Sequence, residues 1–311
     1  VNGADGRATP AVYFLSDYGT ADEFVGVVHA VLHRWAPGVR VVDLSHGVPP
    51  FDTAAGAAML ERSAPSLGPG VVLAVVDPGV GTHRRAVAVR TASDAGPARP
   101  GPTWWVGPDN GLLTSAVSAA GGAEEVIVLG GPGSGPLPQP PGRAAGRTFD
   151  GRDVFAPATA YLLLGGDPAL LGTSADPGSL VAGAIPSGTA DRVEDTDDGP
   201  VLESAVTWVD RFGNVQLGSS PSRLDALGLP LSDAVPVTVW PAVGGHAGTG
   251  LTVTARRVEA FGHLAAGEWG MVTDAAGRVA IVLDRASAAE GLGGCPVGTR
   301  VRIGPVTGHH P

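Results

Sequence analysis

An α/β domain with a largely parallel sheet, followed by an all-β domain, is the fold class that the sequence predicts, and three observations carry it. The chain has 311 residues, enough for two separate cores. Over residues 1–187 short apolar runs alternate with segments of helical period. Beyond residue 187 the helical period disappears and short β-rich runs follow one another to the end. The 48 glycines and 28 prolines show no repeat and fall between apolar runs, so they mark turns.

Taken in order, Ala11 to Ser16 reads as the first strand, and apolar residues at 24, 27, 28, 31, 32 and 35 form one face of a helix. Arg40 to Leu44 is a second β-rich run, 53–63 a helix of small residues, and Val71 to Val76 an apolar strand suited to burial on both faces. A strand at 86–90 follows a turn, and Val126 to Leu129 is a strand between helices at 112–119 and 153–164. The Gly- and Pro-rich stretch 131–146 is expected to be a surface loop. Residues 188–200 read as a linker, because Asp191 to Pro200 is acidic and turn-rich. Its Glu194, Asp195, Asp197 and Asp198 lack the alternate spacing and closing glutamate of a calcium loop. The second domain, 201–311, takes its strands from runs at 201–209, 236–240, 251–254, 279–283 and 299–303.

Composition narrows the chemistry. All 20 basic residues are arginine, which removes the phosphate-loop lysine, the kinase strand lysine and any lysine Schiff base. A single cysteine, Cys295, forbids an internal disulfide and a multi-cysteine zinc site. A net charge of −10 argues against nucleic acid as a partner, since that affinity needs a basic surface. No apolar run reaches the ~18 residues of a membrane span. The first residues lack the basic and apolar segments of a signal peptide, so a cytoplasmic protein is expected.

Ligands of open α/β sheets bind beyond the carboxyl ends of strands, so polar residues that end apolar runs are the candidates. Four such places stand out: Asp17, Asp43 with His46, Asp77, and Asp109 with Asn110. Each alone suits a turn or cap; together they point to a site.

With six stretches in view, a family resemblance emerges. They are Leu15 to Gly19, Val42 to His46 with Pro49 to Asp52, Val76 to Arg84, Gly107 to Leu113, Thr148 to Pro157, and Asp210 to Asn214. In this order they resemble the S-adenosyl-L-methionine hydroxide adenosyltransferases, the family that also holds fluorinases and chlorinases. The resemblance implies a barrel-like second domain and a homotrimer with the active site at the subunit interface. The implied reaction is attack of water or hydroxide at ribose C5′ of S-adenosyl-L-methionine, releasing adenosine and L-methionine, with no metal or organic cofactor.

By the same resemblance, Asp17 takes both ribose hydroxyls, a role suited to a two-oxygen acceptor. Phe51 lies beside the adenosyl unit, Phe212 and Asn214 meet the adenine, and Asp210 meets the methionine ammonium; the alternative for Asp210 to Asn214 is a simple β-turn. Asp77 stands where halogenating members carry tyrosine, and at about 4 Å and an effective dielectric of about 20 it would repel a halide by several kcal/mol. The catalytic set implied is then Asp77 and Arg84 acting on water; a structural ion pair ordering the turn between them is the alternative. Asp150 stands where water-using members have histidine. Either Asp150 takes over that role, or His83 compensates, or activity is weak, or Asp150 is only a helix cap. Two other readings stay open for the whole protein, a binding module for S-adenosyl-L-methionine or adenosine and, less favoured by Asp77, a halogenase.

Overall fold

A computed structural model of the chain describes residues 10–91, 102–130, 148–183, 191–240 and 250–305. The chain forms two compact units, Val1–Ile185 and Pro186–Pro311.

The first unit contains β1 (Ala11–Ser16), α1 (Phe24–Trp35), β2 (Arg40–Ser45), α2 (Thr53–Ser63), β3 (Gly70–Val75), β4 (Ala86–Thr91), β5 (Pro102–Pro108), α3 (Thr114–Ala119), β6 (Ala123–Leu129), α4 (Ala156–Leu163) and β7 (Gly172–Ala175). Its sheet has the order β2-β1-β3-β5-β4-β6-β7. The first four strands pair in parallel. β4 inserts antiparallel between β5 and β6, which returns β6 to the direction of the parallel set, and β7 closes that edge antiparallel.

β3 is buried along its whole length because helices cover both sheet faces. Val71, Leu73 and Val75 join Val12 and Phe14 in a core completed by Val28, Val31 and Leu32 of α1 and by Ala156, Ala158 and Ala160 of α4. Val72 and Ala74 face the other way, on the side where α2 and α3 pack together and Gly56 of α2 approaches the Val76 side chain. β5 has no counterpart among the expected strands, since proline stands at both of its ends and interrupts the apolar run. It is nonetheless central, and its Trp105 is fully buried. The helix expected over 153–164 begins with a wide π-type turn, Gly151–Phe155, before α4. The stretch 131–146 lies outside the described residues.

The second unit contains β8 (Arg192–Thr196), β9 (Gly199–Val209), β10 (Val215–Leu217), α5 (Pro221–Ala226), β11 (Ala234–Trp240), β12 (Leu251–Arg257), β13 (Trp269–Thr273), β14 (Val279–Leu283), α6 (Ala288–Gly291) and β15 (Arg300–Ile303). The order β10-β14-β13-β12-β11-β15-β9 closes on itself because the second half of β9 pairs back with β10. A closed seven-stranded barrel results, with two short helices beside it. Each ring strand pairs on both sides, β12 with β13 over two residue pairs. Leu202, Val206, Val215, Leu217, Val237, Val239, Met271, Ile281, Val301 and Ile303 belong to its core.

β8 corrects the linker reading from residue 192 on; residues 188–190 lie outside the described residues. It pairs antiparallel with β9, Val193 turns to the barrel core, and Asp197 with Asp198 forms the hairpin turn, where Thr196 Oγ1 donates to the Gly199 carbonyl at 2.6 Å. Among the described residues no helix is long and apolar enough to cross a membrane. Cys295 is a buried free thiol whose pKa burial pushes up to about 11, consistent with a structural role.

The seam between β9 and β15 carries a buried charge. Glu203, 2% exposed, accepts from Arg300 Nε at 2.9 Å and Nη2 at 3.1 Å and from Arg302 Nε at 2.6 Å. Burial alone would raise its pKa, but hydrogen bonds and attraction from both arginines outweigh it and hold the carboxyl below its usual range. Such a group stabilises the fold above its unfolded pKa and loses that contribution as pH falls through the lower, folded value. Glu203→Gln is therefore expected to lower stability at pH 7 by about 2 kcal/mol. In denaturant titrations from pH 7 to pH 3 the gap to the parent should shrink on the acid side; a gap independent of pH would contradict the assignment.

Candidate active site

The exits of β1, β2 and β3 are stitched together by main-chain bonds. Asp17 N donates to the Val75 carbonyl at 3.4 Å, and Gly19 N to the His46 carbonyl at 2.8 Å. Asp17 Oδ2 accepts from the Phe51 N–H at 2.9 Å, which ties the residue after β1 to the loop before α2. Phe51 has a φ of 68° and is 72% exposed. A bulky residue held in left-handed backbone with its ring in solvent carries strain that its own packing does not offset.

Asp77 follows Val76 at the exit of β3, and the chain folds straight back on it. Val80 N donates to the Asp77 carbonyl at 3.2 Å, Thr82 Oγ1 donates to the Gly79 carbonyl at 2.6 Å, and Arg84 N donates to Thr82 Oγ1 at 3.3 Å. This turn delivers Arg84 Nε to both Asp77 carboxylate oxygens at 3.0 Å. Arg84 Nη2 bonds Asp77 and also Asp150 Oδ2, so one guanidinium joins two carboxylates. Its face lies over the Phe155 ring, 5.2 Å from the centroid. The side chains of Asp77, Arg84 and Asp150 are only 6%, 13% and 19% exposed, so water screens them weakly. Burial opposes the Arg84 charge, but Asp77 and then Asp150 outweigh it and raise its pKa.

Asp150 stands at the start of the π-type turn and makes no capping hydrogen bond there. The helix-cap reading is thus set aside in favour of the ion pair. His83 is exposed on the turn.

Tyr18 is the residue that sequence reasoning missed. Burial, then the charges of Asp17, Asp77 and Asp150, push its phenol far above the usual range against a smaller effect of Arg84, which makes it a neutral donor beside the carboxylates. Its ring packs among Phe14, Phe24 and Phe149. Its hydroxyl rests on Gly151, where an added Cβ would lie 2.1 Å from the oxygen, so glycine beside Asp150 is a steric requirement. The signal was its place directly after Asp17, overlooked because an aromatic residue ending an apolar run reads as core.

Asp109 and Asn110 support rather than line the site. Asp109 is buried and accepts from Arg85 Nε at 2.7 Å and Val181 N at 2.9 Å, while Asn110 Nδ2 donates to the Val76 carbonyl at 2.9 Å, directly before Asp77.

The other residues that the resemblance implies, Asp210, Phe212 and Asn214, belong to the second unit. Asp210 Oδ1 accepts from Phe212 N at 2.8 Å and Asn214 N at 2.9 Å, and Asp210 Oδ2 accepts from Asn214 Nδ2 at 2.8 Å. A β-turn is thus built, and it holds the Phe212 ring outward at 71% exposure.

Asp17 and Asp77 at the carboxyl ends of a parallel sheet, with Arg84 joining Asp77 to Asp150, form the kind of site that open α/β enzymes use. Within that class it belongs to the S-adenosyl-L-methionine hydroxide adenosyltransferases: the family's N-terminal domain matches residues 12–172 and its C-terminal domain residues 204–302. It is 40% identical to a protein of Salinispora tropica named (R)-S-adenosyl-L-methionine hydrolase, covering 95% of this chain and 98% of that one. The protein of the same name from Thermus thermophilus is also 40% identical, over 92% and 98% of the two chains. An uncharacterized conserved protein from Thermotoga maritima, known as a crystal structure, superposes with a TM-score of 0.76 at 27% identity, over 94% of this chain and all of that one.

Phe51 offers a test of strain against binding. Phe51→Gly is expected to leave the melting temperature unchanged or raise it, with relief of about 1 kcal/mol of backbone strain. The same change should raise KM for S-adenosyl-L-methionine at least tenfold; a lowered melting temperature with unchanged KM would show that the ring serves the fold.

Proposed function

We infer that the protein is an S-adenosyl-L-methionine hydrolase, forming adenosine and L-methionine. The observation that carries this is the Arg84 guanidinium shared between Asp77 and Asp150, in a chain 40% identical to proteins named for that hydrolysis.

In this reading a water oxygen bonds to ribose C5′ as the C5′–S bond breaks. Its electron pair stays on sulfur, so the sulfonium leaves as the neutral thioether of methionine and needs no acid. The water's second proton remains as the adenosine 5′ hydroxyl hydrogen; the first passes to Asp77, which orients the attacking water. Arg84 holds Asp77 in place and stabilises developing hydroxide. Asp150 shares that cation, and the neutral Tyr18 hydroxyl is a further donor to the water. Two carboxylates against one guanidinium leave the cluster formally anionic, which suits a sulfonium substrate and disfavours a halide nucleophile.

Asp17 would hold the ribose diol with Phe51 beside it. Phe212 and Asn214 would meet the adenine and Asp210 the methionine ammonium, the second-domain residues coming from a neighbouring subunit of a homotrimer. No metal or organic cofactor takes part in the proposed reaction, no nucleic acid or membrane partner is invoked, and the cytoplasm is the proposed setting.

Asp77→Asn, which keeps volume but removes the base, is expected to slow adenosine release by about 100-fold or more. Affinity for S-adenosyl-L-methionine, read by calorimetry, should change little; hydrolysis at the parent rate would refute the mechanism. For Asp150, alanine should lower turnover about tenfold and histidine should restore it. Should Asp150→Ala match the parent, Asp77 and Arg84 carry the reaction without it.

A further inference from the structure

We propose that His29, Asp43 and His46 form a binding site for one divalent first-row transition-metal ion, separate from the catalytic cluster and independent of the hydrolase reading. His29 comes from α1, Asp43 from β2 and His46 from the turn after β2. His29 Nε2 lies 2.9 Å and His46 Nε2 3.1 Å from the same Asp43 oxygen, and the three donor atoms lie within 4.8 Å of one another. Ligands bound at about 2.1 Å to one ion are about 3.0 Å apart at right angles and about 3.4 Å apart in a tetrahedron. The two spacings to Asp43 match right angles, the third pair of donors lies within 4.8 Å, and two imidazoles with one carboxylate are a set that leaves positions open on a first-row metal.

The independent observation is His46. Its side chain is only 7% exposed, and its buried Nε2 faces Asp43 Oδ1 at 3.1 Å in an ion-pair contact rather than a well-aligned hydrogen bond. The other ring nitrogen, Nδ1, is bonded to the buried Ser16 Oγ at 2.8 Å. In the tautomer whose Nδ1 proton is donated to Ser16, Nε2 turns a lone pair toward Asp43 and His29, and an outer hydrogen bond of this kind orients metal-binding imidazoles. The Phe14 ring, 4.6 Å from the His46 ring, limits its rotation. His29 and Asp43 are 29% and 40% exposed, which gives an ion a route in and water a place on its outer side.

The cluster adjoins the substrate-side loops without being part of the proposed reaction. Ser16 precedes Asp17, and the His46 carbonyl accepts from Gly19 N. A bound ion would pin α1 and the β2 exit to the strand that carries Asp17, and so act on stability and loop order.

The test uses the full chain without a histidine tag, stripped with a chelator and titrated with zinc chloride by calorimetry, and with cobalt(II) followed by its visible absorption. The expected result is one zinc per chain, a melting temperature raised by zinc but not by magnesium, and a visible cobalt band. His29→Ala, at a partly exposed position, and the isosteric Asp43→Asn should each weaken zinc binding at least about tenfold and remove the cobalt band, with circular dichroism unchanged. Absence of zinc binding, or binding of equal strength in the parent and both variants, would overturn the proposal and leave the three residues a hydrogen-bonded cluster.

Discussion

A single arginine side chain governs the geometry at the exit of β3. Asp77 and Asp150 arrive from positions 73 residues apart in the chain, and side by side with little water between them they would repel. Arg84 lies between them and turns that repulsion into a bridge. Other features follow from this arrangement: the turn from Asp77 to Thr82 must be tight enough to return Arg84, Gly151 must lack a side chain so that Tyr18 can lie beside Asp150, and Asn110 must hold the Val76 carbonyl so that Asp77 emerges at a fixed place.

Parts of this were legible in the sequence because they depend on local rules. β1, α1, β2, α2 and β3 show their period openly, and Asp17 and Asp77 betray themselves by ending apolar runs. What escaped depends on distant partners. β5 hides between two prolines and is a strand because β3 and β4 flank it, and β8 hides under its charge because only the pairing with β9 shows that Val193 faces a core. His29 shows the same limit, since its link to Asp43 across 14 residues needs α1 laid against the sheet.

In the turn at Asp210 a structural role and the proposed binding role need not compete. A carboxylate that collects three hydrogen bonds from its own turn makes the turn rigid, and rigidity lets an aromatic ring stay in water without collapsing onto the barrel. In the proposed function, a ring held ready in this way would meet a flat heterocycle without first losing rotational freedom.

The barrel's closure also bears on how the second unit comes to exist. β9 is its first ring strand in the chain and β15 its last, yet they are neighbours, with Ala205 opposite Arg300. The seam cannot form until the last strand is available, so during synthesis β9 must wait with an unsatisfied edge while the intervening strands are made. Long-range pairings of this kind slow folding and expose partly formed sheets to aggregation. The charged Glu203, set among the apolar residues of that waiting strand, is well placed to discourage wrong partners until its two arginines arrive.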